Sequence, residues 1–261
     1  MKTLEWWQSK KYNFSPSVSF IVETHNLSDH AIRVVDGVRP YRGGEIIVID
    51  DGSSQDHIEK IVDHMNGTNE FVLRCNDIFS TLTVNRSVSL SRGDLVVKLR
   101  DDDIYPGIEW IERAVDLFNK NPDMAILGGR GSMTLPYGWN FECAVPWKPY
   151  SDRFQFVQAV NEAPLWFKRS AFMQLGGYNE EYAPFYWSEQ EICLRAWLAG
   201  LSVGWYNSDV DRCAIETPDR RANKVAIHHE SWRKNAKIFE SEFAGYLSLI
   251  NERVHERNAK L

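Results

Sequence analysis

Paired cysteines are missing from this sequence. Cys75, Cys143, Cys193 and Cys213 are widely spaced and form no CxxC. That excludes a cysteine zinc site and a thioredoxin-type motif. Isolated thiols in a chain of 261 residues read as reduced and cytosolic. No apolar run approaches the 18 residues of a membrane span. The first eleven residues lack the apolar core of a signal peptide. The expected location is therefore cytoplasmic, with peripheral membrane attachment as the alternative. Basic residues are not in surplus: Lys plus Arg is 30 and Asp plus Glu is 36, a net charge of −6. That argues against phosphate-backbone binding, so no nucleic-acid partner is expected. GxGxxG, GxxxxGK[ST] and HExxH are absent. Dinucleotide-fingerprint, P-loop and zincin chemistries are excluded with them.

What is present suits one large domain. The hydrophobic fraction is 43% and the charged fraction 25%, ordinary values for a globular chain. Aromatic residues reach 13%. They serve either core packing or sugar and base stacking.

Short apolar strands alternate with helical spacing over the first 130 residues. Val18–Glu23, Glu45–Ile49, Phe71–Leu73, Asp94–Leu99 and Met124–Leu127 read as strands. Helices are expected over 29–38, from Ile58 to Met65, over 82–90 and from Trp110 to Phe118. This alternation implies parallel βαβ units in an α/β sheet. Ligands bind beyond the carboxyl ends of such strands, and right-handed crossovers put those ends on one edge. Glu23-Thr-His-Asn26, Asp50-Asp51 and Asp101-Asp102-Asp103 all fall there.

The second half is less regular. Tyr137, Trp139, Phe141 and Trp147 mark an aromatic region, Pro164–Lys168 a strand, Glu189–Ala199 a helix and Val203–Tyr206 a last strand. Residues 207–226 read as a polar loop. From Ser231 onward Phe239, Phe243, Tyr246, Leu247, Ile250 and Val254 trace an amphipathic helix. It could dock on the domain, form a homodimer or touch a membrane, and docking is favoured. Its polar face is mixed in charge, unlike a lipid-binding face.

The acidic clusters carry the chemistry. Three adjacent carboxylates repel, and a divalent cation resolves that repulsion while bridging to a diphosphate. A solvated acidic turn is the plain alternative. Asp50-Asp51-Gly52-Ser53 can accept from a base or ribose, or serve as a helix N-cap turn. Ser188-Glu189-Gln190-Glu191 opens a helix beside Tyr186-Trp187. A carboxylate there is either a general base or an acid favoured by the helix dipole. His228-His229-Glu230 could complete a metal shell or be an ordinary His pair.

These elements, in this order, resemble family 2 glycosyltransferases of GT-A fold. The resemblance rests on Val18–Asn26, on Ile47-Val-Ile-Asp-Asp-Gly-Ser53, on Asn85 and on Gly93-Asp94 with Leu99-Arg-Asp-Asp-Asp103. It continues in Gly176-Gly-Tyr-Asn-Glu180, Ser188-Glu-Gln-Glu191 with Leu194-Arg-Ala196, and His228-His-Glu-Ser231. It runs from about residue 17 to 232. It implies a Rossmann-like, mostly parallel sheet flanked by helices, closed by a C-terminal helix. The implied divisions are an N-terminal extension (1–16), a nucleotide-sugar half (17–130), an acceptor half (131–230) and the C-terminal helix (231–261).

The resemblance also implies roles. Glu23, His25 and Asp51 sit where the family holds the base, with Asn85 among the nucleotide-binding residues. Asp101 falls near the ribose. Asp102 falls on the metal ligand for Mn²⁺ or Mg²⁺, assisted by Asp103 and His228. Glu189 falls on the catalytic base of an inverting transfer, and Trp187 and Glu191 on the acceptor side. The implied partners are a nucleotide-diphospho-sugar, expected to be UDP-linked, and a carbohydrate or glycoconjugate acceptor in glycan synthesis.

The chain departs from the family at Arg100, where the DxD has its first acid. It departs again at Glu189 for Asp, at Ser188 and Gln190, and at Glu23 for a small residue. A non-catalytic nucleotide-sugar-binding or assembly subunit is therefore the rival reading. A nucleotidyltransferase lacks support, since no Gly-rich basic loop follows the first strand.

Overall fold

The computed structural model describes residues 6–10, 14–133, 153–161, 163–212 and 225–261. The chain opens with β1 (Trp6–Gln8), β2 (Val18–Thr24), α1 (Ser28–Val38), β3 (Gly44–Asp51) and α2 (Gln55–His64). It continues through β4 (Glu70–Cys75), α3 (Phe79–Leu90), β5 (Leu95–Arg100), β6 (Asp103–Ile104) and α4 (Glu109–Lys120). The strands β7 (Met124–Gly128), β8 (Gly131–Met133), β9 (Gln155–Phe156), β10 (Ala159–Asn161) and β11 (Leu165–Lys168) follow. The last elements are α5 (Arg169–Gln174), α6 (Ser188–Leu198), β12 (Ser202–Trp205), β13 (Asp211–Arg212), α7 (Val225–Phe243) and α8 (Leu247–Asn258).

Nine strands form one sheet in the order β1-β4-β3-β2-β5-β11-β7-β12-β9. The strands β2, β3, β4 and β5 run parallel, as do β7 and β12. Between β5 and β7 lies β11, antiparallel to both. The fifth predicted strand, β7, is thus not a direct neighbour of β5. Strand β1 falls within the stretch expected as an extension, and it pairs antiparallel with the edge of β4.

The period-2 pattern builds a core on each face of the sheet. Ile21, Ile47, Ile49 and Val96 pack on one face with Val84, Ile192 and Phe239. Phe20, Val22, Ile46, Val48, Val97 and Leu99 pack on the other with Ala31, Ile58 and Trp110. Lys98 shares the alternation of Val96, and Glu23 that of Ile21. Both therefore belong to the face covered by α3 and α6.

Two glycines have steric duties. A Cβ on Gly93 would lie 2.7 Å from the backbone of Val18 and Ser19, so this close approach to β2 admits no side chain. Gly200 takes φ +79 just beyond α6. There its N–H bonds to Trp197 O and Leu201 N–H to Ala196 O, a Schellman closure.

The single C-terminal helix read from the sequence is in fact two. A 3-10 turn at Ala244–Tyr246, carrying the poor helix former Gly245, separates α7 from α8. Both helices pack on the domain: Phe239, Phe243, Leu247, Ile250 and Val254 are buried in the core shared with α6. Arg257 pairs with Asp123 at 2.8 Å, and the Asn258 amide bonds both ways to the backbone of Phe156. Among the described residues no helix is long and apolar enough to cross a membrane.

Candidate functional site

The carboxyl ends of β2, β3 and β5 meet the N-terminal ends of α3 and α6. From β2 comes Glu23, which accepts hydrogen bonds from Ser80 Oγ (3.1 Å) and from Thr83 Oγ1 on α3. His25 follows, its Nδ1–H donating 2.8 Å to the backbone carbonyl of Asp51. From β3 comes Asp51, whose carboxylate accepts the amides of Ile78 (2.9 Å) and Phe79 (2.8 Å). These are orphan donors at the start of α3, so the carboxylate caps that helix. Arg74 of β4 completes this corner by donating 2.9 Å to the carbonyl of Ser53.

The triple carboxylate divides. Arg100 Nε lies 3.0 Å from Asp102 Oδ1. Asp103 is buried within the small β6–β13 ladder, where it takes an ion pair from Arg130 and a 3.1 Å hydrogen bond from Tyr105. Burial pushes the Asp101 carboxyl up to about 7, helped by the charge of Asp102. Burial likewise pushes Asp103 up to about 6, against the pull of Arg100 and Arg130.

Glu189 stands in the first turn of α6 and meets β5 directly. Lys98 Nζ donates to Glu189 Oε1 at 2.8 Å and lies 3.5 Å from Glu23 Oε2. Burial alone would lower the Lys98 pKa, but the charges of Glu189 and Glu23 outweigh it and hold the pKa above its ordinary value. The Tyr178 hydroxyl is buried nearby, and burial together with Glu189 and Glu23 keeps it protonated far above the usual range. The turn before α6 is left-handed at two consecutive non-glycine residues, Tyr186 (φ 75) and Trp187 (φ 72). It is tied to α3 by Thr81 N–H to Pro184 O and by the Thr81–Ser188 hydroxyl pair at 3.0 Å.

Residues 19–173 of this sequence match the sequence model of Glycosyl transferase family 2. The chain belongs to that family. A family 2 frame accounts for the order in which these motifs reach the sheet edge. A relative from Haloferax volcanii, named glucosyl-dolichyl phosphate glucuronosyltransferase, is 25% identical over 176 residues, covering 62% of this chain and 56% of its own. Staphylococcus aureus TarS in complex with UDP-GlcNAc superposes with a TM-score of 0.59 at 17% identity, over 78% of this chain and 60% of that one. GalNAc-T7 with UDP, GalNAc and Mn²⁺ superposes at 0.62 and 15% identity, over 90% and 54%. The fold is GT-A. The chain spans a little over half the length of these relatives.

Within the family 2 frame, Glu23, His25, Asp51, Asp101, Asp102 and Glu189 lie along one sheet edge. Other residues singled out by sequence have other surroundings. The Asn85 amide pairs with both the carbonyl (2.9 Å) and the N–H (2.8 Å) of Tyr178, tying α3 to the Gly176-Gly177 turn. Glu191 is buried against Arg195, which also donates to the carbonyls of Leu175 and Gly177. Trp187 is buried, its ring 5.0 Å from that of Trp232 and 4.8 Å from that of Phe239. His228 lies in the first turn of α7, and its side chain falls outside the described residues, as do Tyr137, Trp139, Phe141 and Trp147.

Lys98, Arg130 and Asn235 carry no motif that marks them for this site. Lys98 does have a signal: it is the one charge inside the apolar run Leu95–Leu99. Arg130 and Asn235 have none.

Proposed function

We propose that this protein is an inverting glycosyltransferase that moves a sugar from a UDP-linked donor to an acceptor hydroxyl in glycan synthesis. The observation that carries this reading is the position of Glu189. It is a carboxylate at a helix start, 2.8 Å from Lys98, on the same sheet edge as Asp51 and Asp101-Asp102. TarS binds UDP-GlcNAc, and GalNAc-T7 was crystallised with UDP, GalNAc and Mn²⁺, which supports the choice of nucleotide and of a divalent ion.

The donor set suits Mg²⁺ or Mn²⁺. Among the described residues no cage of three or more His, Cys, Asp or Glu exists. Such ions are commonly held through one or two carboxylates plus the substrate's phosphates, so no cage is needed. Asp101 and Asp102 are adjacent hard oxygen donors whose mutual repulsion a cation would offset. Both Asp102 and Asp103 have an arginine partner, so the ion-holding role is given to Asp102 by the family resemblance, with Asp103 assisting and Asp101 toward the ribose. When bound, the ion would offset the negative charge of the diphosphate leaving group.

The chain's own residues then divide the work. His25 and Asp51 shape the pocket for the base. Glu189 accepts the proton of the acceptor hydroxyl as that oxygen attacks the anomeric carbon from the face opposite the leaving diphosphate. Arg100, beside Asp102, adds positive charge next to the diphosphate.

Calorimetry with UDP in the presence and absence of Mn²⁺, joined to a product assay over a donor and acceptor panel, tests the proposal. UDP binding with sugar transfer is the expected result. UDP binding with neither transfer nor donor hydrolysis would favour a non-catalytic subunit.

A further inference from the structure

We infer that Lys98 is a positioning residue that aims the Glu189 carboxylate, and that Glu23 and α3 anchor it in turn. The inference rests on the reading of Glu189 as the base. The contacts form an unbroken relay. Ser80 and Thr83 of α3 hold Glu23, Glu23 lies 3.5 Å from the Lys98 ammonium, and that ammonium donates 2.8 Å to Glu189 Oε1.

A purely structural duty explains this lysine poorly. Its side chain is only 8% exposed and stands in a strand otherwise made of Leu and Val up to its final Arg100. Burying an ion pair brings little net stability over a well-packed apolar side chain of similar size. The lysine does, however, present a fixed positive charge to a carboxylate that remains 20% exposed at the sheet edge.

The need for such a charge follows from the sequence. Glu189 stands where family members carry Asp. The extra methylene adds a torsion and lengthens the reach by about 1.5 Å, one carbon–carbon bond. Terminal carboxylate torsions of Glu are broad. A charge-assisted hydrogen bond to one carboxylate oxygen removes that freedom, because such bonds are short and directional. The helix start that carries Glu189 is independently pinned through Thr81 and Ser188. Backbone and side chain are thus held by different elements.

The charged and titratable groups in this cluster of Lys98, Tyr178 and Glu189 come from several elements. Strand β5 supplies Lys98 and Arg100, β2 supplies Glu23, the turn after α5 supplies Tyr178, and α6 itself supplies Glu191 and Cys193. Lys98 is the cation in hydrogen-bond contact with the Glu189 carboxylate. Its removal takes away that donor and its charge while the Glu23 carboxylate stays in place.

The test uses Lys98→Met and Lys98→Arg in the full chain. Glutamate carboxyl carbons are labelled for NMR, and the Glu189 signal is identified by its loss in Glu189→Gln. In Lys98→Met the Glu189 titration midpoint should rise by about one unit, the size expected for loss of a neighbouring opposite charge. The acid limb of the kcat/KM profile should rise with it. Turnover should fall by about 10²-fold, as a base displaced by roughly 1 Å implies, while the donor KM changes little. Lys98→Arg should recover most of both readouts. An unmoved Glu189 midpoint and an unmoved acid limb in folded Lys98→Met would overturn the inference. If Lys98→Met fails to fold, Glu23→Gln serves instead. It keeps an acceptor for Ser80 and Thr83 but removes a negative charge, so the Glu189 midpoint should fall, and a midpoint that stays or rises overturns the inference. A midpoint that moves as expected in a protein that transfers no sugar upholds the geometry and rejects the proposed activity instead.

Discussion

Asn235 of α7 donates a 3.1 Å hydrogen bond to the carbonyl of Tyr186, three residues before Glu189. The same amide reaches the carbonyls of Tyr182 (2.7 Å) and Phe185 (2.9 Å). Left-handed backbone at Tyr186 and Trp187 is unfavourable for residues with a Cβ, and it persists where the surroundings over-determine it. The C-terminal helix supplies that constraint from a single, fully buried side chain.

Replacing Asn235 by Ala should therefore do two things. It takes the donor from the buried Tyr182 carbonyl and the partly buried carbonyls of Phe185 and Tyr186, which should lower stability by about 1–3 kcal/mol. It should also lower turnover, because the turn that delivers Glu189 loses its clamp. Denaturant unfolding reads the first effect and initial rates the second. A destabilised variant with full turnover would separate the clamp from the chemistry.

Glu189→Gln should bind UDP as the unmodified protein does and lose transfer by about 10²- to 10⁴-fold, the usual contribution of a general base. Asp102→Ala should show the reverse order of defects, with ion-dependent UDP binding lost first. Calorimetry paired with a product assay distinguishes them, and undiminished transfer by Glu189→Gln would remove it from the base role.

The acidic pair sets a pH dependence with a definite sign. Burial pushes the Asp101 carboxyl up to about 7 and that of Asp103 up to about 6. Both are raised above the value of about 3.9 expected in the unfolded chain. Between those limits the folded chain holds more protons than the unfolded one, so stability falls as pH rises from about 4 to 7. In EDTA, unfolding free energies measured across that range should decline. Asp101→Asn should flatten the decline, and Mn²⁺ should offset it most at the alkaline end. A parallel decline in Asp101→Asn would assign the effect to other groups.

Helix α8 should matter for stability rather than for binding. Ile250 is fully buried between α8 and the domain. Ile250→Ala should lower unfolding free energy by about 2–5 kcal/mol through lost burial and a residual cavity. UDP affinity of the folded variant should be unchanged, which titration calorimetry below its melting range would show.

Much of the fold is legible in local pattern. Val18–Glu23, Glu45–Ile49 and Leu95–Leu99 announce strands because apolar and β-branched residues crowd short runs between turn residues. Ile58, Ile61 and Met65 announce a helix because they recur on one side of a 3.6-residue period. The acidic residues at the ends of β2, β3 and β5 gather onto one edge on sequence grounds alone, because the hand of βαβ crossovers leaves no choice.

Pairings between distant residues carry no such local mark. That β11 runs antiparallel between β5 and β7 depends on pairings with strands distant in the chain. Asn85 is a polar residue on a helix in either reading, and only its meeting with Tyr178, 93 residues away, makes it a tie between α3 and the Gly176-Gly177 turn. Trp187 reads as an acceptor platform until Trp232 and Phe239 enclose it. Glu23 and Glu189 stand out in the sequence by their motifs and Lys98 as a charge inside an apolar run, but nothing local links the three. The chain order by itself determined the strands, the helices and the edge on which the acids collect, because those follow from residue periodicity and backbone chirality. Which lysine meets which carboxylate was decided by the tertiary structure alone, because an ion pair between residues 91 positions apart exists only after the start of α6 is brought to the side of β5.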